Sequence, residues 1–96
     1  MYVLSMFEWD RKKNQRNREK HGVSFQKAKK AFLDPRRILV KDLAHGSGER
    51  RWFYLCRVQG GVLTVRFTYR KERIRIFGAG YWRKGRRRYE EENKIQ

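Results

Sequence analysis

The sequence predicts one α+β domain over residues 1–96, an antiparallel sheet of three to five strands with two N-terminal helices and a C-terminal helix. Three observations predict it. Residues 62–70 alternate Leu63, Val65, Phe67 and Tyr69 with Thr64, Arg66, Thr68 and Arg70, the period-two signature of a half-buried strand. Residues 50–58 repeat that alternation, and Gly60-Gly61 between the two runs marks a hairpin. The helical segments precede and follow the strands without interleaving, which favours α+β over α/β.

Taken in order, Tyr2 to Trp9 is apolar and reads as a short strand. Asp10 suits an N-cap and Gly22 a C′ position, so they bracket residues 11–20 as a helix. Nothing from Arg11 to Lys20 is apolar, and such a helix cannot be held by an oily face. On its residues alone it is a weak helix or a basic arm. Residues 24–33 make a firmer helix, with Ser24 as cap, Phe25, Ala28, Ala31 and Phe32 on one face, and Asp34-Pro35 as terminator. Ile38 to Leu43 reads as the strand that opens the meander. In 50–58, Trp52, Tyr54, Cys56 and Val58 alternate with Arg51, Phe53, Leu55 and Arg57, a strand buried on both sides. After a turn at Lys71-Glu72, Ile74 and Ile76 continue the core face while Arg73 and Arg75 point away. Gly78 to Gly80 breaks the pattern, and Tyr81 to Asn93 reads as a helix with Gly85 inside it.

Composition narrows the partners. Twenty-six Lys and Arg against ten Asp and Glu give a formal charge of +16, concentrated in Arg11 to Lys20 and Arg83 to Arg88. Such a charge opposes compaction, and its usual counterpart is a polyanion. A hydrophobic content of 39% is enough for a core, which excludes a wholly disordered basic tail. Cys56 is the single cysteine, so an internal disulfide and a cysteine-based zinc site are excluded and a reducing cytoplasm is expected. The opening MYVLSMFEWD lacks a charged n-region and is not read as a signal peptide. No run approaches a membrane span, and neither basic block has an apolar face to lie on a membrane. There is no metal-ligand cluster, P-loop or serine elbow, so no metal or cofactor is expected. Phosphodiester chemistry would then rest on Arg and Lys stabilising the charge of a phosphorane.

The candidate chemistry lies on the twin strands. Arg66, Thr68, Arg70, Arg73 and Arg75 share one face, with hardly a carboxylate among them in the sequence. Like charges across strands cost a few tenths to ~1 kcal/mol per pair, a cost that an incoming anion removes. Arginine also offers planar, bidentate donors to phosphate. Trp52, Phe53, Tyr54, Tyr81, Trp82 and Tyr89 interleave with these charges. Most belong in a core, and Tyr81 and Trp82, beside Gly80 and Arg83, are the ones expected at the surface as a stacking platform for single-stranded RNA. His21 reads as a cation at a helix C-terminus. His45, in the loop from Ala44 to Glu49, is a candidate general acid or base with an ordinary pKa near ~6.5. Glu49, ahead of Arg50-Arg51, is the alternative base.

The residues Phe7-Glu8-Trp9-Asp10, Lys13, Asn17, Lys20-His21-Gly22-Val23-Ser24-Phe25, Ala28 and Phe32-Leu33-Asp34-Pro35 together form a specific pattern. With the loop holding His45 and Gly48-Glu49, and the stretches Thr68 to Arg70 and Ile74-Arg75-Ile76, the chain resembles the BrnT toxin family over nearly its whole length. The resemblance implies a RelE-like fold and a small ribonuclease toxin of a type II toxin–antitoxin pair that arrests translation. It implies a ribbon-helix-helix antitoxin partner (BrnA-like), with operator DNA reached only through that antitoxin. It also implies that the first helix is real, packed through the Lys13 stem and the Asn17 amide. One departure stands out. Members commonly carry Ser-Ala-Arg after the last strand where this chain has Gly78-Ala79-Gly80, so the arginine expected at position 80 is absent. Either Arg83 or Lys84 replaces it, or activity is weakened.

The reading of the sequence is therefore a cytoplasmic, metal-independent RNA endonuclease. Its candidate catalytic residues are Glu49, Arg51, Arg70, Arg75, Lys84, Tyr89 and His45. Its candidate RNA-binding residues are Arg66, Arg73, Tyr81, Trp82, Arg83, Arg86 and Arg87. The alternative is a non-catalytic basic module that binds RNA or the antitoxin.

Overall fold

In the computed structural model, residues 6–43 and 48–94 are described. His45 lies outside them. The chain runs β1 (Phe7–Trp9), α1 (Arg11–His21), α2 (Phe25–Ala28) continued as a 3-10 turn (Lys29–Leu33), β2 (Ile38–Lys41), β3 (Trp52–Val58), β4 (Gly61–Arg70), β5 (Arg73–Gly80) and α3 (Arg83–Glu92). Five strands form one sheet in the order β1-β5-β4-β3-β2. The expected α+β class holds, but the sheet is mixed and not antiparallel throughout, because β1 pairs with β5 in parallel. Two further corrections concern β4 and β5. The β3–β4 hairpin turns at Gln59-Gly60, with φ of 49° and 84°, one residue earlier than expected. Strand β5 also continues through Gly78-Ala79-Gly80. A bulge opposite Arg66 and Phe67 sets Phe77 out of register, and pairing resumes at Arg66↔Gly78.

The sheet buries both faces unequally. On one, Cys56, Val58, Leu63, Val65, Phe67, Ile76 and Ala79 pack against Val23, Phe25, Ala28, Ala31 and Phe32. Phe32 is the centre of this core, edge-on to Phe7, Tyr54 and Phe67 with centroids 4.9, 4.8 and 5.2 Å away. Cys56 is fully buried there, and burial pushes its thiol up, away from reactivity. On the other face α3 covers only part of the sheet, enclosing Leu55, Val62 and Tyr89 with Ile38 and Val40 at the margin. The uncovered remainder carries the arginines.

Helix α1 forms even though it has no apolar residue. Asp10 caps it, accepting from the N–H groups of Lys12 and Lys13 at 2.8 and 3.1 Å. Gly22 closes it with φ 70°, its N–H donating to the Arg18 carbonyl at 2.9 Å. Its one buried residue, Asn17, uses both ends of its amide. Nδ2 donates to the carbonyls of Val23 and Ala79, each at 2.8 Å, and Oδ1 accepts the Ala79 N–H at 3.2 Å. The amide thereby continues the pairing of β5 beyond the point where β1 ends. Asn14 Oδ1 accepts the Phe25 N–H at 2.8 Å and fixes the entry to α2. Substituting Asn17→Leu keeps the branched shape but strands buried backbone groups, each costing ~1–3 kcal/mol. Equilibrium urea unfolding is expected to show a loss of about 3 kcal/mol.

Asp34, expected only as a helix stop, joins three elements. Its Oδ2 accepts the Arg57 N–H and the Tyr89 hydroxyl, both at 2.7 Å, and its Oδ1 accepts the Arg36 N–H at 2.8 Å. Burial pushes its carboxyl up, but the Arg57, Tyr89 and Arg36 donors outweigh that, and its pKa is lowered from the usual 3.8. A depressed carboxylate stabilises the fold above its unfolded pKa, and that contribution is lost as pH falls through the folded value. Acid unfolding below about pH 4 is expected to be shallower in Asp34→Asn than in wild type, which starts more stable at pH 7. Circular dichroism against pH checks both.

Candidate nucleic-acid interface

Period-two alternation sends Arg66, Thr68 and Arg70 of β4 and Arg73 and Arg75 of β5 to the face that α3 leaves open. The register sets Thr68 opposite Arg75 and Arg70 opposite Arg73. Thr68 is buried and its hydroxyl donates to the Arg50 carbonyl, so it is a structural member of the row. The arginines are less bare than the sequence suggests. Glu8, on the neighbouring β1, holds Arg75 at 2.9 Å and approaches Arg73 at 3.7 Å. Glu49 holds Arg70 at 2.8 Å. These carboxylates are distant in the chain, and only strand order brings them in. Glu8 has no part in the site expected from sequence, although its register opposite Arg75 makes it a member.

Arg51 and Arg66 have no carboxylate partner among the described residues. Instead they lie over aromatic rings, Arg51 above Phe77 at 4.6 Å and Arg66 above Phe53 at 6.0 Å. Phe77 is at the bulge, and Lys13 lies 5.3 Å from the same ring. The bulge thus sets Arg51 of the β3 entrance and Lys13 of α1 around one aromatic side chain. Glu49 has its pKa lowered: the Arg70 hydrogen bond outweighs the upward push of burial, and the charges of Arg70, Arg51 and Arg75 add to it. Its Oε1 is buried without a hydrogen-bond partner among the described residues.

At the far end of β5 the two exposed aromatics go to opposite faces. The Tyr81 ring lies against Gly61, its hydroxyl donates to the Val58 carbonyl at 3.3 Å, and the Lys27 ammonium is 5.3 Å from the ring. The Trp82 indole lies over Gly80 and meets His21 edge-on at 5.1 Å. A Cβ at Gly80 would stand 2.7 Å from the indole, so the space where an arginine was expected is filled by Trp82. His21 accordingly packs on a ring as well as ending a helix.

Helix α3 starts without a side-chain cap and with Arg83 and Lys84 in its first turn. Arg86 and Arg88 pair with Glu90 and Glu92 one turn on, at 3.3 and 2.6 Å, while Arg87 is exposed. Tyr89 is turned into the second core with its hydroxyl spent on Asp34, away from the arginine row. A groove of about 280 Å³ between α3 and the sheet is lined by Val40, Phe53, Leu55, Thr64, Trp82 and Lys84, so Lys84 and Phe53 share one surface. Among the described residues no cluster of three His, Cys, Asp or Glu could hold a metal ion.

A sequence model of the ribonuclease toxin BrnT, of type II toxin–antitoxin systems, matches residues 9–85. The chain belongs to the BrnT family. No curated protein matches it. Membership in the BrnT family implies an RNA substrate and a cognate antitoxin, and no helix among the described residues is long and apolar enough to cross a membrane. The match to BrnT begins at Trp9, the last residue of β1, and ends at Gly85, so it covers β2 to β5 and their arginines but leaves out Glu8 and stops in the first turn of α3. Gly85 is itself fixed by packing. A Cβ at Gly85 would collide with the Thr64 hydroxyl and stand 3.2 Å from Leu55. Gly85→Ala is expected to lower stability by about 2 kcal/mol, within the range for overpacking. Thr64→Ala in the same chain should recover most of it, as read by thermal unfolding.

Proposed function

We propose that this BrnT-family chain is a metal-independent RNA endonuclease that arrests translation in the cytoplasm, held in check by a BrnA-like ribbon-helix-helix antitoxin through which alone operator DNA is reached. The observation that carries the reading is the open half of the sheet, where Arg51 and Arg66 stand without carboxylate partners among the described residues, beside the Glu49–Arg70 pair. RNA phosphates would lie across Arg70 and Arg75, with Arg66, Arg73, Arg86 and Arg87 on the backbone and Trp82 as a stacking surface, while Tyr81 lies on the opposite face of the sheet. The 2′-hydroxyl attacks the adjacent phosphorus, its proton goes to a base, and the 5′-oxygen leaves with a proton. The products are a 2′,3′-cyclic phosphate and a 5′-hydroxyl. Arg51, with Arg83 or Lys84, stabilises the phosphorane.

Glu49 is the base favoured by the geometry. Paired with Arg70 it is ionised through neutral pH but weakly basic. A phosphate arriving on Arg70 competes for that guanidinium and returns basicity to the carboxylate when the proton must be taken. The Tyr89 hydroxyl is committed to Asp34, and we assign it a packing role.

The non-catalytic binding module keeps one observation on its side. Arg70, Arg73 and Arg75 are already met by the chain's own Glu49 and Glu8, as in a structural network. Incubating the purified chain with RNA and a chelator separates the two readings. Cleavage is expected, reduced at least a hundredfold by Arg70→Ala with Arg75→Ala. Intact RNA, or an unaffected double variant, favours the binding module. The rate against pH identifies the base. A rate flat from pH 5.5 to 8 and lost in Glu49→Gln assigns Glu49, whereas an acid limb near ~6.5 assigns His45.

A further inference from the structure

Among the described residues, α1 is a basic segment that no ion pair reaches. Over Arg11–His21 the helix carries six Lys and Arg and one acid, Glu19. The ion pairs of the described residues lie on the sheet, at Glu8 and Glu49, and along α3 at Glu90 and Glu92. None reaches α1. Like charges stand one turn apart at Lys12 and Arg16 and at Arg16 and Lys20, each pair opposing the helix by a few tenths of a kcal/mol.

These cations surround the helix on every side except the buried one. Asn17 faces the sheet, Lys13 reaches Phe77 on the arginine side, and Arg11 and Arg18 line a polar groove of about 660 Å³ with Asn14, Ser24, Lys27 and the single acid Glu19. Lys12, Arg16 and Lys20 are exposed between these flanks. What is missing discriminates among partners. A protein interface needs an apolar or aromatic centre with charge at the rim, and α1 has no apolar side chain to provide one. A phosphate backbone needs only cations at intervals.

We propose that α1 is a second RNA-docking surface, which holds the phosphates of a strand outside the segment lying on the sheet, without reading its sequence. Lys13 and Arg51, on one aromatic ring, connect the two surfaces, so a strand can pass from one to the other. Two linked contacts raise the effective concentration of the strand at the sheet, and long RNA gains affinity that short RNA does not.

The test uses the full chain and a 20-nucleotide RNA with 2′-O-methyl riboses, which lacks the attacking hydroxyl. The proposal therefore stands or falls apart from cleavage. Affinity is measured by fluorescence anisotropy from 50 to 300 mM KCl for wild type and for Arg11→Gln with Arg16→Gln and Arg18→Gln. Three lost phosphate contacts at ~0.7 each lower the salt slope by about 2. Circular dichroism checks the helix, and Arg16→Glu alone, expected to lower the slope by about 1, serves if the triple variant unfolds. The variant's cleavage of a trinucleotide should equal wild type. An unchanged slope overturns the proposal, and so does a loss of binding to poly-glutamate larger than the loss to RNA, which would assign α1 to an acidic protein.

Discussion

The arrangement depends on a single amide. Asn17 is the one residue of α1 that the fold buries, and its side chain does what a neighbouring strand would otherwise do for Ala79. A helix is normally held to a sheet by apolar area, at about 25 cal/mol per Å², and that route is closed to a segment with no apolar side chain. Hydrogen bonds in a dry place substitute, because buried backbone groups left without partners are costly. Since the hydrogen bonds from α1 side chains to the rest of the fold come from Asn17 and Asn14 among the described residues, the outward positions of the helix are free to be basic. The same amide keeps the bulged end of β5 in place, and with it Gly80 and the indole above it.

The three basic regions differ in how far the chain compensates them. On the sheet, two glutamates brought in by β1 and by the approach to β3 hold three of the arginines. On α3 the compensation is local, one turn along the helix. On α1 no ion pair is present among the described residues. Each degree of compensation suits a different task. Arginines held by carboxylates are fixed in direction, as the positioning of a phosphate requires. Uncompensated ones attract at longer range, within a Debye length of about 8 Å at physiological salt.

Much of this was legible because it is periodic or punctuated. Alternation in residues 62–70 assigns both faces of β4 correctly, and Phe25, Ala28, Ala31 and Phe32 are all buried as their spacing implies. What was hidden has no local signature. The bulge at Phe77 turns Gly78-Ala79-Gly80 from an apparent break into strand, since a glycine-rich segment looks the same in either role. Parallel pairing of β1 joins residues 67 apart, which no window of sequence contains, and so the Glu8–Arg75 contact was out of reach. Asp34 looked like a terminator because its local role is visible and its bonds to Arg57 and Tyr89 are not. In the site, the arginine row was foreseen but not its internal carboxylate from β1. The candidate base His45 lies outside the described residues.

Trp82 lying on Gly80 ties two positions into one unit. An arginine can occupy position 80 only if the residue at 82 gives up the same space, and glycine at 80 leaves a hollow unless an aromatic ring covers it. In any lineage of such chains the exchange of cation for ring would pass through a less stable intermediate, with either a clash or a cavity. The two solutions are therefore separated by a step of lower stability, and the residues at 80 and 82 can change only together.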